Sequence, residues 1–483
     1  MSISTTPTWP IELFKKAIQE IPAYREHLQA NGLDIHRIQT MDDYPKIPLI
    51  HKNYLSGNSR RAVFAGGELP VSASCSSGSS GLPTYWFRSE ADDLAAAKGY
   101  KHLIADVLNI KKEERVLALV CFAMGSWVAG TLTVDCLKLI AREGYQLTIF
   151  PAGIEREDGL NALRILGPEF DRVLIYGYPP LLLDFVKDAH ERNIPMGEKV
   201  SLIPAGDKNS EQWRETIAAL AGCPQEQVVS FYGSADALYM ACETPLTLAI
   251  KKEALQNPNL YSFLFGETHV ASMPGMYQYD EDRLYLEAVN EELILTIDRT
   301  LPLIRYNLRD RVKILNHHEM RAALDGFDLQ NKKIFELLDT WKNPFVLVGS
   351  RTDVAVNYYG INIYYDNIKN ITDHPANAAL LSGSYLAYIE NKYAESVQNF
   401  HIEFELNPGI PVTPELTFKI SAGALQGLKE SSSEFRKLCD HLQSKADPIV
   451  RVVEYGELKT NGLHTGIYAV KGKKPRMINN KSR

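Results

Sequence analysis

The chain has 483 residues, too many for one ordinary hydrophobic core, so two or more domains are expected. Hydrophobic residues make up 45% and charged residues 23%, the balance of a soluble globular protein. A formal net charge of −7 leaves no basic footprint for nucleic acid, and no polybasic membrane anchor beyond the short tail Lys471-Gly472-Lys473-Lys474-Pro475-Arg476.

Residues 1–10 hold no basic segment followed by an apolar core, so no signal peptide is expected and a cytoplasmic location is. Trp9, Ile11, Leu13, Phe14, Ile18, Ile21 and Tyr24 recur at helical spacing with lysines and glutamates between them, which predicts helix over 9–31. Helical segments continue through Asp42–Pro45 to Ile47–Ile50. Then comes Ser72-Ala73-Ser74-Cys75-Ser76-Ser77-Gly78-Ser79-Ser80-Gly81-Leu82-Pro83-Thr84, with six serines, two glycines and no acidic side chain. Hydroxyls and exposed N–H groups are what a loop needs to hold phosphate oxygens, and glycine lets the backbone come close. A flexible linker is the alternative. The run is brief, however, and it passes straight into Tyr85-Trp86-Phe87, a buried-strand signature, which favours a phosphate loop. No Gly-Lys-Ser/Thr follows, so it is not a Walker motif, and no G-x-G-x-x-G follows a strand.

An amphipathic helix is expected over 91–107 and a buried strand over 115–121. Val116 to Val134 carries no charge over nineteen residues, close to the length of a spanning helix. Gly125-Ser126, Gly130, Thr131 and Thr133 interrupt it, so strand, glycine turn and helix start explain it better. The turn Phe122-Ala123-Met124-Gly125-Ser126-Trp127 carries apolar and aromatic side chains that suit a pocket for a planar acid; core packing explains them equally. Strands alternating with helices over 90–235 predict βαβ units and a parallel sheet, whose ligands gather beyond the carboxyl ends of the strands. Ala205-Gly206-Asp207 and Phe231-Tyr232-Gly233-Ser234-Ala235-Asp236 fall at such ends. A tyrosine there can stack on a base, and a carboxylate can ligate Mg²⁺ through oxygen. On residue type alone, Tyr232 reads as a core tyrosine and Asp236 as a helix N-cap.

Residues 284–308 alternate in strand fashion and lead into Arg309-Asp310. An ionised carboxylate at a strand end can accept from two ribose hydroxyls, although a surface ion pair is the plainer reading. Short strands at 385–390 and 401–406, a helix over 425–446 and a last strand at 449–454 predict a small α+β unit. The six cysteines lie far apart without a C-x-x-C pair, as reduced thiols do, and the twelve histidines show no catalytic or metal spacing.

Ser76–Thr84 resembles the S-S-G-T-T-G-x-P-T loop of the adenylate-forming superfamily, which contains acyl-CoA synthetases, nonribosomal peptide synthetase adenylation domains and luciferases. The phenylacetate–CoA ligase-like branch is the most similar. Further likenesses follow in the same order: Ile21–Arg25 and Ile47–Lys52 to that branch's N-terminal segments, and Tyr232–Asp236 to Y-G-x-[ST]-E. Leu303-Ile304-Arg305-Tyr306-Asn307-Leu308-Arg309-Asp310 is similar to L-I-R-Y-R-T-R-D, Gly349–Val354 to G-R-x-D-D, Tyr359–Ile363 to R-G-x-N-[VI], and Lys471–Ile478 to the closing G-K-A-x-R-[VI]. Ala235 lacks the usual hydroxyl, Asp236 is one methylene shorter than Glu, and Asn307 and Tyr359 stand where Arg is usual.

The resemblance implies an α/β fold: a large N-terminal adenylation domain over 1–350, with βαβ-built sheets covered by helices, and a small mobile α+β lid over 351–483 that rotates about a hinge at Asp353. It gives Ser76, Ser77, Gly78, Ser79, Ser80 and Gly81 to the phosphates. Ala205, Gly206, Asp207, Phe231, Tyr232, Gly233 and Ser234 go to the nucleotide, with Tyr232 on the adenine, Asp310 on the ribose, and Arg351 on phosphate or ribose. Phe122, Ala123, Met124, Gly125, Trp127 and Tyr178 would wall the acyl pocket, and Asp236 would ligate Mg²⁺. Lys473 would be the catalytic lysine, with Lys471 and Lys474 near enough to compete. The implied activity is ATP-dependent conversion of a carboxylic acid, aromatic by its pocket, to acyl-adenylate and pyrophosphate. Transfer to CoA would follow by default; a carrier-protein thiol, an amine or reduction of the aryl-adenylate are the alternatives, in a specialised biosynthetic setting. A non-catalytic module that binds AMP or an aromatic ligand is the alternative of another class. Nucleic acid and membrane are not expected as partners, and a homodimer stays open.

Overall fold

The computed structural model describes residues 7–479 other than 57, 59–62, 65–69, 77–83, 208, 267–272, 352–354, 393–396, 460–464 and 470–475. The chain forms two compact units, one built from Met1–Cys75, Thr84–Gly177 and Phe185–Ser350, the other from Ser76–Pro83, Tyr178–Asp184 and Arg351–Arg483.

In the larger unit four parallel strands lie in the order Leu147–Phe150, Val116–Cys121, Arg172–Gly177, Val200–Pro204. Apolar runs such as VLALV are what a strand covered on both faces requires, and Val116 to Val120 are each 0% exposed. Helices Val128–Arg142, Arg156–Leu166 and Pro179–Glu191 make the crossovers. From Val116–Cys121 the chain passes to the strand on one side, then returns to the strand on the other. With right-handed crossovers, that reversal puts the first helix on one face and the next two on the opposite face. The carboxyl end of Val116–Cys121 is therefore a topological switch point, where open α/β sheets leave a crevice.

The second sheet of this unit was not foreseen as a separate layer. Seven strands run in the order Leu284–Val289, Glu292–Ile297, Leu303–Leu315, Phe345–Arg351, Gly275–Tyr279, Leu238–Cys242, Phe231–Ser234. The pairings that surround the site are antiparallel. Parallel bridges from Leu202 to Val228 and from Ala205 to Phe231 join the two sheets. The helix expected over 9–31 is two, Trp9–Glu20 and Pro22–Ala30, because Ile21 is extended and Pro22 begins the second helix. Phe14, Tyr24 and Leu28 share a buried core with Leu295, Leu303 and Tyr306.

The smaller unit holds five strands in the order Ile449–Val453, Val397–Leu406, Leu381–Lys392, Thr465–Ala469, Arg476–Asn479. The helix expected over 425–446 is likewise two, Pro414–Ser431 and Ser433–Leu442; extended Ser432 between them caps the second through the Phe435 N–H. The strand at 449–453 is not the last, since two more complete the sheet. A hairpin, Ala355–Tyr358 and Ile361–Tyr364, turns through Tyr359 and Gly360, both at positive φ.

Among the described residues no helix is long and apolar enough to cross a membrane. All six cysteines are unbridged.

Candidate nucleotide and acid site

The turn Phe122–Trp127 leaves the switch-point strand, with Gly125 in the left-handed region at φ +84°. Close packing fixes it. A Cβ on Gly130 would stand 2.6 Å from the Ala123 carbonyl oxygen, so the helix start admits no side chain there. The Cys75 N–H donates to the Ser126 carbonyl at 2.9 Å, which ties the strand Ser72–Ser76, leading into the Ser/Gly run, to the same turn. Phe122 meets Phe231 edge-on, ring centroids 6.4 Å apart. Among the described residues the buried indole Nε1 of Trp127 has no hydrogen-bond partner.

At the next strand end, Gly206 has φ +94°, and the Ala205 N–H donates to the Gly177 carbonyl at 3.1 Å. The bridge from Ala205 to Phe231 sets Ala205-Gly206-Asp207 beside Phe231-Tyr232-Gly233. Tyr232 stacks on Tyr277 at 5.8 Å and 19°, and its hydroxyl donates to Asp310 Oδ2. Burial, with Glu243 nearby, holds the Tyr277 phenol well above its ordinary pKa, so it stays protonated. Gly233 is required sterically: a Cβ there would lie 2.6 Å from the Leu238 carbonyl oxygen, where the chain doubles back. Asp236 is not a helix N-cap. It sits in the tight connection between two antiparallel strands, and its Oδ2 accepts from the Tyr306 hydroxyl at 2.6 Å.

Asp310 and Tyr306 lie on one strand, Leu303–Leu315, four residues apart with an irregularity at left-handed Arg309 between them, and each bonds to the segment 231–236. Two tyrosine–carboxylate bonds therefore cross between that strand and the segment 231–236, in opposite senses. The rest of the motif holds the strand itself. Arg305, at φ +50°, donates to the carbonyls of Pro45 and Ile47 and pairs with Glu287 at 3.0 Å. This explains why Ile47–Ile50 accompanies the motif: Ile50 bridges Tyr306 directly. Asn307 donates to Glu292 at 2.6 Å and accepts from the Arg309 N–H at 2.7 Å, a local brace that the longer Arg would not supply in the same way.

Two buried ionic networks support these elements, and neither was legible in the sequence. Arg299 donates to the Asp236 and Phe87 carbonyls and faces Asp92; Arg88 donates to Ser72 Oγ at 3.0 Å and reaches Asp93 and Asp135 at 3.4 and 2.9 Å. Burial raises the Asp93 carboxyl to about 6, against the pull of Arg88. In the second network Arg214 and Lys251 both meet Glu211 and Glu243. Burial works against ionising Glu211, but Lys251 and Arg214 prevail and hold it low, at about 2. Glu243 Oε2 also accepts the Ser230 N–H at 2.8 Å, at the root of the Phe231–Ser234 strand.

The larger unit thus brings together Phe122, Ala123, Met124, Gly125, Trp127, Ala205, Gly206, Asp207, Phe231, Tyr232, Gly233, Ser234, Asp236 and Asp310 on two joined sheets. Ser76 ends its strand, and Arg351 ends Phe345–Arg351, each described by its backbone. Tyr178 groups with the smaller unit, so the geometry of the larger one does not decide its place in an acyl pocket. Ser77, Gly78, Ser79, Ser80, Gly81, Asp353, Lys471, Lys473 and Lys474 lie outside the described residues. Among the described residues, no group of three or more His, Cys, Asp or Glu side chains could hold a metal ion.

No protein-family model matches the sequence, and a search of curated proteins returns no relative. Solved structures do match. A 2-hydroxyisobutyryl-CoA ligase in complex with 2-HIB-AMP and CoA, in its thioesterification state, superposes with a TM-score of 0.62 over 94% of this chain and 87% of that one, at 14% identity. An open conformation of the same ligase, also with 2-HIB-AMP and CoA, gives 0.51 over 94% and 88%, at 15% identity. Its postadenylation state with 2-HIB-AMP gives 0.50 over 93% and 85%, at 14% identity. The chain therefore shares the α/β fold of this ligase, a fold its motifs led one to expect.

Proposed function

We propose that this protein uses ATP to activate a carboxylic acid, the acid oxygen attacking the α-phosphorus to give acyl-AMP and pyrophosphate, and then passes the acyl group to an acceptor. The observation that carries the proposal is the pairing of Tyr232 with Asp310 beside Ala205–Asp207: three segments far apart in sequence meet where the motifs require a nucleotide site. The fold shared with a CoA ligase supports it and favours CoA as the acceptor. Catalysis in this reading is alignment of a poor nucleophile and neutralisation of crowded phosphate charge, with no covalent enzyme intermediate.

Tyr232 would stack on the adenine, Asp310 would accept from the ribose, Arg351 would meet ribose or phosphate, and Ser76–Gly81 would cradle the phosphates. Mg²⁺ brought with the nucleotide would supply charge neutralisation. A single carboxylate alongside substrate phosphates suits that ion, and Asp236 is the residue that would hold it. Phe122, Met124 and Trp127 would face the acid, which makes an aromatic or otherwise flat acid the first to try, as in a phenylacetate–CoA ligase-like enzyme. Lys473 would reach the carboxylate and α-phosphate, and Asp353 would serve as hinge between 1–350 and 351–483.

The test is ATP–pyrophosphate exchange over aryl, fatty and amino acids without any thiol, then addition of CoA, a carrier-protein thiol or an amine. Exchange with one acid class establishes adenylation, and Lys473→Ala should abolish it while nucleotide affinity survives. Absence of exchange with every acid, alongside clear AMP binding, would overturn the catalytic reading in favour of a binding module.

A further inference from the structure

Tyr232 is anchored at both ends. Tyr277 lies against its ring, parallel to within 19°, and its hydroxyl donates to Asp310 Oδ2, a residue 78 positions away and 8% exposed. A phenol donating to an ionised carboxylate makes a strong, short hydrogen bond that fixes the acceptor's orientation as well as its own. The ring assigned to the base and the carboxylate assigned to the sugar are thus one mechanical unit.

We infer that the hydroxyl of Tyr232 is a positioning group for ribose recognition: it sets the orientation of Asp310, so that base stacking and the reading of the 2′- and 3′-hydroxyls are coupled through one hydrogen bond. The inference rests on the nucleotide site proposed above and adds to it. A tyrosine needed only for its flat ring could be a phenylalanine without loss. Here the phenolic oxygen has its own work, to hold a largely buried carboxylate against rotation in a place where little solvent is at hand to do so. The structure contains its own control. Tyr306 makes a comparable bond, 2.6 Å, but to Asp236, so removing that hydroxyl deletes the same chemistry without touching Asp310.

The experiment uses the full chain and titration calorimetry with ATP, 2′-deoxy-ATP and 3′-deoxy-ATP. Wild type should prefer ATP to each deoxynucleotide by roughly tenfold, the loss of one hydrogen bond to a charged group. Tyr232→Phe keeps the stacking ring, and its preference should collapse to within about twofold, mostly through weaker ATP binding. Tyr306→Phe should keep the wild-type preference. Because Asp310→Asn removes the group that Tyr232 positions, the double variant should match Asp310→Asn alone. Full discrimination retained by Tyr232→Phe, or additive effects in the double variant, would overturn the inference while leaving the nucleotide site standing. A wild-type chain that binds none of the three nucleotides would overturn the site itself. Equal loss of discrimination in Tyr306→Phe would reduce Tyr232 to general scaffolding.

Discussion

Tyr306 donates its hydroxyl hydrogen to Asp236 Oδ2 across 2.6 Å, joining the long strand of one sheet to the strand connection that carries the candidate Mg²⁺ carboxylate. Arg299 holds the same aspartate from behind by donating to its backbone carbonyl. Asp236 is therefore gripped at two points, a constraint suited to a side chain one methylene shorter than the glutamate of the motif. Tyr306→Phe should cost about 1 kcal/mol of stability, the net worth of one hydrogen bond, measured by urea unfolding. Asp236→Ala should raise the Mg²⁺ concentration needed for half-maximal pyrophosphate exchange; an unchanged Mg²⁺ requirement would remove Asp236 from the metal.

Two glycines carry steric predictions that differ in kind. At Gly130 and Gly233 an added Cβ meets a backbone carbonyl oxygen at 2.6 Å, and a backbone atom cannot swing aside as a side chain can. Gly130→Ala pushes on the Phe122–Trp127 turn, and Gly233→Ala on the Tyr232 hairpin. Each should cost about 1–3 kcal/mol in stability, as overpacking does. Gly130→Ala should raise KM for the acid, and Gly233→Ala should raise KM for ATP. The reverse pattern would reassign the two walls of the site.

Much of this was readable before the fold was known, for physical reasons that vary along the chain. VLALV and VLIY are continuous apolar runs because both faces of a parallel sheet are covered, so the βαβ half of the larger unit could be traced residue by residue. Periodicity gave the helices but not their breaks, since Pro22 and Ser432 interrupt patterns whose apolar spacing continues past them. The strands Thr465–Ala469 and Arg476–Asn479 are hard to read because each is only four or five residues long, although Thr465, Ile467 and Tyr468 are themselves strand formers. What local sequence could not give was partnership. Arg305 with Pro45 and Ile47, and Tyr306 with Asp236, are pairs set by a tertiary fold, more than two hundred residues apart in the first case.

The Arg214–Glu243–Lys251–Glu211 network should be a stability element rather than a catalytic one. Arg214, Glu243 and Lys251 are nearly inaccessible, and breaking a buried pair leaves an uncompensated charge. Glu243→Ala should destabilise by about 3–5 kcal/mol, whereas Asp171→Ala, which breaks the exposed pair with Arg115, should cost far less. Chemical denaturation of both variants checks the contrast, and similar losses would refute it.

Asp93 gives a pH prediction of definite sign. Burial raises its carboxyl from 3.8 to about 6, so between those values the folded chain holds a proton that the unfolded chain has released. Its contribution to stability is full below about 4 and is lost as pH rises through about 6. Asp93→Asn cannot ionise, so the melting temperature of wild type minus that of the variant should fall between pH 4 and pH 7. A difference that is flat, or that rises, would mean Arg88 keeps Asp93 ionised in the folded chain.

Trp127 poses the last test, because its buried indole N–H has no partner among the described residues while the residue stands at the start of the helix that follows the switch-point turn. An unsatisfied buried donor costs about 1–3 kcal/mol, a cost that Phe avoids while keeping an aromatic face. Loss of ring area works in the opposite direction, so Trp127→Phe should change stability little, within about 1 kcal/mol. Its effect on substrate choice should be larger. If the turn walls the acid pocket, a substrate with a hydrogen-bond acceptor can satisfy the indole where a plain aryl or alkyl acid cannot. Wild type should then favour the acceptor-bearing acid in pyrophosphate exchange, and Trp127→Phe should lose that preference by roughly fivefold to tenfold while KM for ATP stays put. A variant with unchanged acid preference and higher stability would make Trp127 a packing residue with an unpaid hydrogen bond, and would move the acid site away from the Phe122–Trp127 turn.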